Sequence, residues 1–148
     1  MTRYLLDTNL LIALAWPQHI HHAPAHDWFG MTGGHSWATC PITQLGFVRI
    51  SSNPKIIPQA VSPREAVSML ERILGVPGHE FWPDDIGATA AASLASLALV
   101  GHRQVTDAYL LALAQRHDGK LATFDRGVPD LISATANRAR HVSVIDVR

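Results

Sequence analysis

Short apolar runs alternate with helix-like segments along the chain, and this alternation constrains the fold more than any other feature. Runs at residues 4–6, 36–40, 81–82, 120–124 and 141–147 have the length of strands, and helical patterns separate them. Strands that read as apolar runs are typical of sheets covered on both faces. We therefore predict an α/β fold with a mostly parallel sheet and helices on both of its faces.

Capping residues predict where several of the helices begin and end. Ser62, Pro63 and Glu65 form the pattern of a capping box with proline at the first helical position, and this helix should end at Gly75. Asp84 or Asp85 should cap an Ala-rich helix that ends at Gly101. Thr106 should cap a second helix, from Asp107 to His117, and Gly119 should terminate it.

Length and composition indicate one globular domain spanning residues 1–148. Hydrophobic residues make up 47% of the chain and charged residues 16%, which excludes a disordered chain. The single cysteine, Cys40, excludes an intrachain disulfide and a cysteine-based zinc site, and we expect it to be buried. The N-terminal residues lack the apolar segment of a signal peptide, and no stretch is typical of a membrane span, so we expect a cytoplasmic protein.

The formal net charge is zero, which by itself does not favour a nucleic-acid-binding protein. The charges are unevenly distributed, because no acid occurs between Asp27 and Glu65, whereas Arg49, Lys55 and Arg64 do. A basic face beside an acidic pocket is one interpretation of this distribution. Scattered, solvated charges are the other, and composition does not distinguish them.

Three aspartates stand at positions that a parallel sheet would bring together. Asp7 follows the run at residues 4–6, and Asp125 follows the run at residues 120–124. In open α/β sheets the ligand crevice lies outside the carboxyl ends of the strands. Asp107 lies in the first turn of a predicted helix, and helix starts that follow strands face the same edge. We therefore expect all three carboxylates to converge in one crevice.

Converging carboxylates repel one another unless a cation lies between them. Oxygen ligands with negative charge favour Mg²⁺ or Mn²⁺ over softer metals. Such a site can activate water for phosphodiester cleavage. Each residue also has a simpler explanation: Asp107 can serve only to match the helix dipole, and Asp125 can simply begin a turn.

Four segments together resemble the PIN domain, and specifically the VapC-type toxins of bacterial toxin–antitoxin pairs. They are residues 4–9 (YLLDTN), 37–50 (WATCPITQLGFVRI), 105–110 (VTDAYL) and 121–125 (LATFD). Their order and spacing extend over most of the chain. The resemblance implies a three-layer α/β/α sandwich and a Mg²⁺- or Mn²⁺-dependent endoribonuclease that cleaves RNA with metal-activated water. It also implies a homodimer and a cognate antitoxin protein that occludes the site.

The resemblance also assigns roles to individual residues. Asp7, Asp107 and Asp125 match the acidic metal site of the family. Asn9 matches a polar residue that helps to order the site, and Thr123 matches a small hydroxyl residue near the metal or the attacking water. At Gln44 the family commonly has a glutamate. Because glutamine adds no negative charge, a second metal would lose an anionic ligand at this position. The alternative function is therefore a catalytically weakened module that only binds RNA or the antitoxin.

Other side chains leave further hypotheses open. His22 and His26 are four residues apart and could share a helix face that holds zinc. A polar, partly exposed helix is the favoured explanation, because no nearby acid other than Asp27 supports a zinc site. Arg49, Arg103 and Arg126 are candidates for phosphate contacts. A phosphohydrolase with Asp7 as nucleophile would need a supporting lysine, and Lys120 is the available one. Four aromatic residues could stack on bases or fill the core: Trp28, Phe29, Trp37 and Phe47.

Overall fold

A five-stranded, fully parallel sheet organises the computed structural model, which describes residues 1–95, 101–132 and 135–147. The strands are β1 (Tyr4–Leu6), β2 (Trp37–Thr39), β3 (His79–Phe81), β4 (Lys120–Thr123) and β5 (Val142–Val144). Their order in the sheet is β3-β2-β1-β4-β5. The helices are α1 (Thr8–Ala15), α2 (His22–Met31), α3 (Pro41–Ser51), α4 (Pro63–Leu74), α5 (Ala88–Ala95), α6 (Val105–Arg116) and α7 (Thr135–His141).

Successive residues of each strand alternate between the two faces of the sheet and build two hydrophobic cores. Leu5 and Leu121 pack in one core with residues of α6, which contacts β1, β4 and α5. Leu6 and Ala122 pack in the other core with residues of α1, α3 and α4. Because helices cover both faces, the strands are buried throughout the centre of the sheet. The predicted three-layer α/β/α sandwich is confirmed.

Strand β1 lies at the point where the strand order reverses. The chain leaves β1 towards β2 on one side and reaches β4 on the other side only later. Leu6 of β1 pairs with Ala122 of β4, so the two strands end at the same level. A crevice opens at such a switch point because the connections from neighbouring strands diverge. Asp7 and Asp125 follow the two strands that border it.

Several predicted boundaries are confirmed and others are wrong. Ser62 caps α4 through its hydroxyl, and the helix stops before Gly75, as predicted. Neither Asp84 nor Asp85 caps the Ala-rich helix, because α5 begins only at Ala88. The Asp84 carboxylate instead accepts hydrogen bonds from Cys40 and the Ile42 backbone, and that of Asp85 pairs with Arg116. The predicted continuation of α5 towards Gly101 crosses residues 96–100, which lie outside the described residues.

The ends of α6 also differ from the prediction. Thr106 is the second residue of the helix and not its cap, because a 3-10 turn (His102–Gln104) leads directly into α6. At the other end Asp118, and not Gly119, adopts the left-handed conformation, with φ 52°. Gly119 is required for another reason: a Cβ there would lie 2.7 Å from the carbonyl oxygen of Arg3.

Among the described residues, no helix combines the length and the apolar character that crossing a membrane requires. Cys40 is fully buried, as expected from its apolar segment.

Candidate functional site

Asp7 is held at the end of β1 as the cap of α1. Its Oδ1 accepts a hydrogen bond from the backbone N–H of Leu10 at 2.8 Å. Its backbone N–H donates to the carbonyl of Ala122 in β4 at 3.2 Å. Only 7% of the residue is exposed, which is unusual for an aspartate. The sequence places the carboxylate at the switch point because the strand ends and the helix begins at this one residue.

Thr123 connects Asp7 to Asp125. The buried Thr123 side chain donates to the carboxylate of Asp7, and its Oγ1 accepts from the backbone N–H of Asp125 at 3.0 Å. The Asp125 carboxylate in turn accepts from the N–H of Gly127 at 2.8 Å. These bonds fix the turn after β4, so that Asp125 is exposed beside the buried Asp7.

All three predicted aspartates influence one another electrostatically. The pKa of Asp7 is raised to about 6: burial is the largest cause, the charges of Asp107 and Asp125 add to the rise, and the hydrogen bonds from Thr123 and Leu10 oppose it. Burial also raises the pKa of Asp107, which the charge of Asp125 raises further. Asp107 is half-buried in the first turn of α6. The fold has therefore brought together three carboxylates from three separate elements.

In the described part of the chain, the ion pairs use other carboxylates: those of Glu80, Asp85, Asp130 and Asp118. The buried charge of Asp7 is thus not neutralised by an arginine or lysine there. Within the same residues no three His, Cys, Asp or Glu side chains are close enough to hold one ion directly. The donor set consists of carboxylates and fits a hydrated Mg²⁺ or Mn²⁺, because Mg²⁺ keeps several waters and uses one or two carboxylates. The role of the three aspartates as metal ligands stays a prediction.

An open cleft of about 380 Å³ lies at this site. Its lining includes Asp7, Asp125, Thr123 and the exposed Asn9, in the second position of α1. Because Asp7 caps α1, the helix begins at Thr8 and Asn9 lies in its first turn. The remaining residues that line the cleft are His19, Ile20, His21 and Phe124.

A family model, the PIN domain, matches residues 4–132, which is most of the chain. Ribonuclease VapC39 of Mycobacterium tuberculosis is 45% identical over 130 residues, covering 88% of this chain and 94% of the relative. Ribonuclease VapC38 of the same organism is 48% identical over 124 residues, covering 84% and 86%. The chain belongs to the PIN-domain family, among the VapC ribonucleases.

Solved structures of low sequence identity share the fold of this PIN domain. VapBC2 from Rickettsia felis, bound to a DNA fragment from its promoter, has a TM-score of 0.60 and 15% identity, covering 98% of this chain and 100% of that one. FitAcB from Neisseria gonorrhoeae has a TM-score of 0.61 and 17% identity, covering 94% and 95%. Both likenesses support the three-layer architecture.

Gln44, the residue at which this PIN domain departs from the expected acid, forms a hydrogen-bonded chain with two other side chains. Its Nε2 donates to Thr39 Oγ1 at 3.0 Å, and Thr39 Oγ1 lies 2.8 Å from His79 Nε2. Burial lowers the pKa of His79, which favours the neutral ring that can accept from Thr39. The amide of Gln44 therefore binds Thr39, the last residue of β2, whose hydroxyl also contacts His79, the first residue of β3.

The positions of other side chains in this PIN domain give little support to zinc binding, to a phosphohydrolase or to base stacking on the four aromatic residues. His22 Nδ1 and His26 Nε2 contact the carbonyl oxygens of Ala13 and Leu14, at 2.7 and 2.8 Å, where they close the end of α1. Lys120 is the first residue of β4, at the end of the strand away from the cleft. All four aromatic residues considered for stacking pack in the core beside α1 and α3: Trp28, Phe29, Trp37 and Phe47.

The arginines considered for phosphate binding have different positions. Arg126 is exposed and directly follows Asp125, whereas Arg49 is exposed in the last turn of α3. The side chain of Arg103 lies outside the described residues. Sequence reasoning did not place His19, His21 or Phe124 at the cleft. Phe124 could have been noticed, because it stands between Thr123 and Asp125, but nothing local connects it to the two histidines.

Proposed function

We propose that the protein is a Mg²⁺- or Mn²⁺-dependent endoribonuclease that acts as the toxin of a toxin–antitoxin pair. One observation carries this proposal: at the switch point of a parallel sheet, the charges of Asp107 and Asp125 raise the pKa of Asp7, and the charge of Asp125 raises that of Asp107. An ionised buried carboxylate with two acidic neighbours destabilises the folded state unless a cation compensates its charge. The names of the VapC ribonucleases in its family support the assignment to RNA.

In this proposal Asp7, Asp107 and Asp125 hold the cation. A bound divalent ion would neutralise the carboxylates and activate water for attack on the phosphodiester. The chain's own residues orient the site: Leu10 and Thr123 fix the Asp7 carboxylate, and the Gly127 N–H fixes that of Asp125. The exposed Arg126 and Asn9 are positioned to contact the RNA backbone and the hydrated ion.

The test compares single Asp→Asn variants at positions 7, 107 and 125 with the parent and with Asp27→Asn. Asp27 is exposed in α2 and serves as a matched control. Loss of an outer-shell partner of a metal ligand costs about 10- to 100-fold in activity or affinity, so each site variant should lose at least that much RNA cleavage. Calorimetric titration with Mn²⁺ should show the same order of loss without relying on turnover.

Two results would contradict the proposal. One is RNA cleavage by Asp7→Asn at the rate of the parent, which would mean that the site is elsewhere. The other is Mn²⁺ binding by the parent without cleavage of any RNA tested. That result would favour a binding module whose catalysis is disabled by Gln44.

We also propose a cognate antitoxin and a homodimer, which the VapC resemblance implies. If a short upstream reading frame encodes the antitoxin, co-expression with its product should yield a stable complex by size-exclusion chromatography with light scattering. The antitoxin should inhibit RNA cleavage in proportion to the complex formed. A monomeric toxin that remains active with its neighbour's product would exclude both assignments.

A further inference from the structure

Three rings form one aromatic surface beside the carboxylates, which we call the aromatic shelf (His19, His21 and Phe124). The His21 and Phe124 ring centroids are 5.0 Å apart, and the ring of His19 lies 6.5 Å from that of Phe124 with an interplanar angle of only 20°. His19 and His21 are 5.6 Å apart. Each ring is half-buried, so that each retains accessible surface.

The aromatic shelf and the aspartates border the same cleft. All three rings line the cleft of about 380 Å³ together with Asp7 and Asp125. Phe124 lies between Thr123, which binds Asp7, and Asp125 itself. Because these neighbours fix the backbone on both sides of Phe124, the aromatic shelf has a set position relative to the carboxylates.

The histidine side of the aromatic shelf is ordered by a local bond. The backbone N–H of His21 donates to Nδ1 of His19 at 3.0 Å. Burial and the neighbouring His21 and His22 lower the pKa of His19, so this ring is uncharged near neutral pH. The plane of the neutral His19 ring is inclined by 20° to that of Phe124, and the His21 ring is tilted by 42° to Phe124, so the three rings offer apolar faces beside a strongly polar site.

Flat aromatic faces next to a phosphate-cleaving site have a natural ligand in unpaired nucleobases. Proteins that recognise single-stranded RNA stack exposed bases on phenylalanine, tyrosine, tryptophan or histidine rings. In a duplex the bases are already stacked and cannot reach such a surface. Stacking tolerates any base, because every base has a π-face.

We propose that the aromatic shelf is a base-binding subsite, which stacks one unpaired RNA base next to the phosphodiester at the aspartates. This inference rests on the proposed ribonuclease function and extends it. A contact of the aromatic shelf with the antitoxin would be a different role, and the experiment below separates the two.

The probe is a single-stranded oligoribonucleotide that contains 2-aminopurine, whose fluorescence changes when the base stacks. Binding is measured in Mg²⁺ on an Asp107→Asn background, which retains the aromatic shelf but should not cleave. His21→Ala removes one ring, His21→Phe replaces it with another ring, and His35→Ala removes an exposed histidine that precedes β2 at the opposite edge of the sheet. Thermal unfolding of each variant establishes that it is folded.

We expect His21→Ala to weaken RNA binding by roughly five-fold or more, the order found when a stacking ring is removed. His21→Phe should retain binding and His35→Ala should not change it. A duplex of the same sequence should bind more weakly and should not respond to loss of the ring.

Equal RNA affinity of His21→Ala and the parent would overturn the proposal, even if the protein cleaves RNA and so fulfils its proposed function. Loss of antitoxin binding alone in His21→Ala would overturn it in favour of a protein contact. If the intact protein cleaves no RNA, the proposed function fails. In that case, weaker binding of the single strand by His21→Ala would still support base stacking on the aromatic shelf. Unchanged binding would overturn it.

Discussion

The hydroxyl of Thr123 donates to the buried carboxylate of Asp7 and opposes the rise of its pKa, which burial as the largest cause brings to about 6. Thr123 is the last residue of β4, and Asp7 directly follows the neighbouring strand β1. The same oxygen accepts the N–H of Asp125 at 3.0 Å. One side chain therefore orients a buried and an exposed carboxylate at once.

Thr123→Val should raise the pKa of Asp7, because the variant keeps the shape of the side chain but loses the hydroxyl that stabilises the ionised carboxylate. A site that needs ionised Asp7 should then lose activity at neutral pH. The acid limb of the pH–rate profile should move to higher pH. Thr123→Ser keeps the hydroxyl and is the control. An unchanged acid limb in Thr123→Val would show that this bond does not set the ionisation of Asp7.

Asp7→Asn should stabilise the protein in the absence of metal. Because the pKa of Asp7 is raised from 3.8 to about 6, its ionisation destabilises the metal-free fold increasingly as pH rises through this range. The loss is complete above the folded-state pKa and amounts to about 3 kcal/mol as an upper bound. In EDTA, urea unfolding should show the variant to be more stable near neutral pH and similar to the parent near pH 4.

Addition of Mn²⁺ distinguishes destabilisation by the ionised Asp7 carboxylate from a general effect of the substitution on stability. The cation should stabilise the parent and leave Asp7→Asn almost unchanged, since binding to the folded state alone raises stability. A variant that is less stable than the metal-free parent near neutral pH would contradict the assignment.

Gly46→Ala should disturb the start of α1, where the site begins. A Cβ at Gly46 would lie 2.6 Å from Oγ1 and 2.8 Å from Cγ2 of Thr8, the residue after Asp7. Overpacking of this kind costs typically ~1–3 kcal/mol. We expect lower unfolding free energy and reduced RNA cleavage.

Gly30→Ala is the matched control for that experiment, because Gly30 is also helical and a Cβ there meets nothing within 4 Å. It should be neutral or stabilising by roughly 0.5–1 kcal/mol. If both glycine variants behave alike, the close approach of α3 to Thr8 is unimportant.

Gln44→Glu should reverse the hydrogen bonds that join position 44, Thr39 and His79. In the parent, Gln44 donates to Thr39, which leaves the Thr39 proton for Nε2 of His79. A carboxylate at position 44 would instead accept the Thr39 proton, so Nε2 of His79 would have to donate. Nitrogen NMR shifts of His79 should report the change of tautomer. An unaltered tautomer of His79 would exclude the inferred hydrogen bonds between Gln44, Thr39 and His79. Separately, Mn²⁺ titration should show whether the added charge creates a second binding step.

Much of the fold follows from local signals. The apolar runs ending at Asp7 and Asp125 identify central strands, and the Ser62 and Pro63 pair identifies the start of α4. These signals succeed because hydrophobic periodicity and capping chemistry act over a few residues. Thr106 and Asp84 are also good caps by composition. They failed because a preceding 3-10 turn starts α6 earlier and because the Ile42 N–H and the Cys40 thiol at the start of α3 compete for the Asp84 carboxylate.

The sequence by itself determined that the chain folds as an α/β protein, that Asp7 and Asp125 end strands, and that Asp107 opens a helix. Tertiary structure alone decided that β1 and β4 are neighbours, that Thr123 binds Asp7, and that His19 and His21 meet Phe124. The physical reason is that strand order and long-range packing depend on how two separate cores are filled at once. No local pattern encodes which residues, over a hundred positions apart, share one cleft.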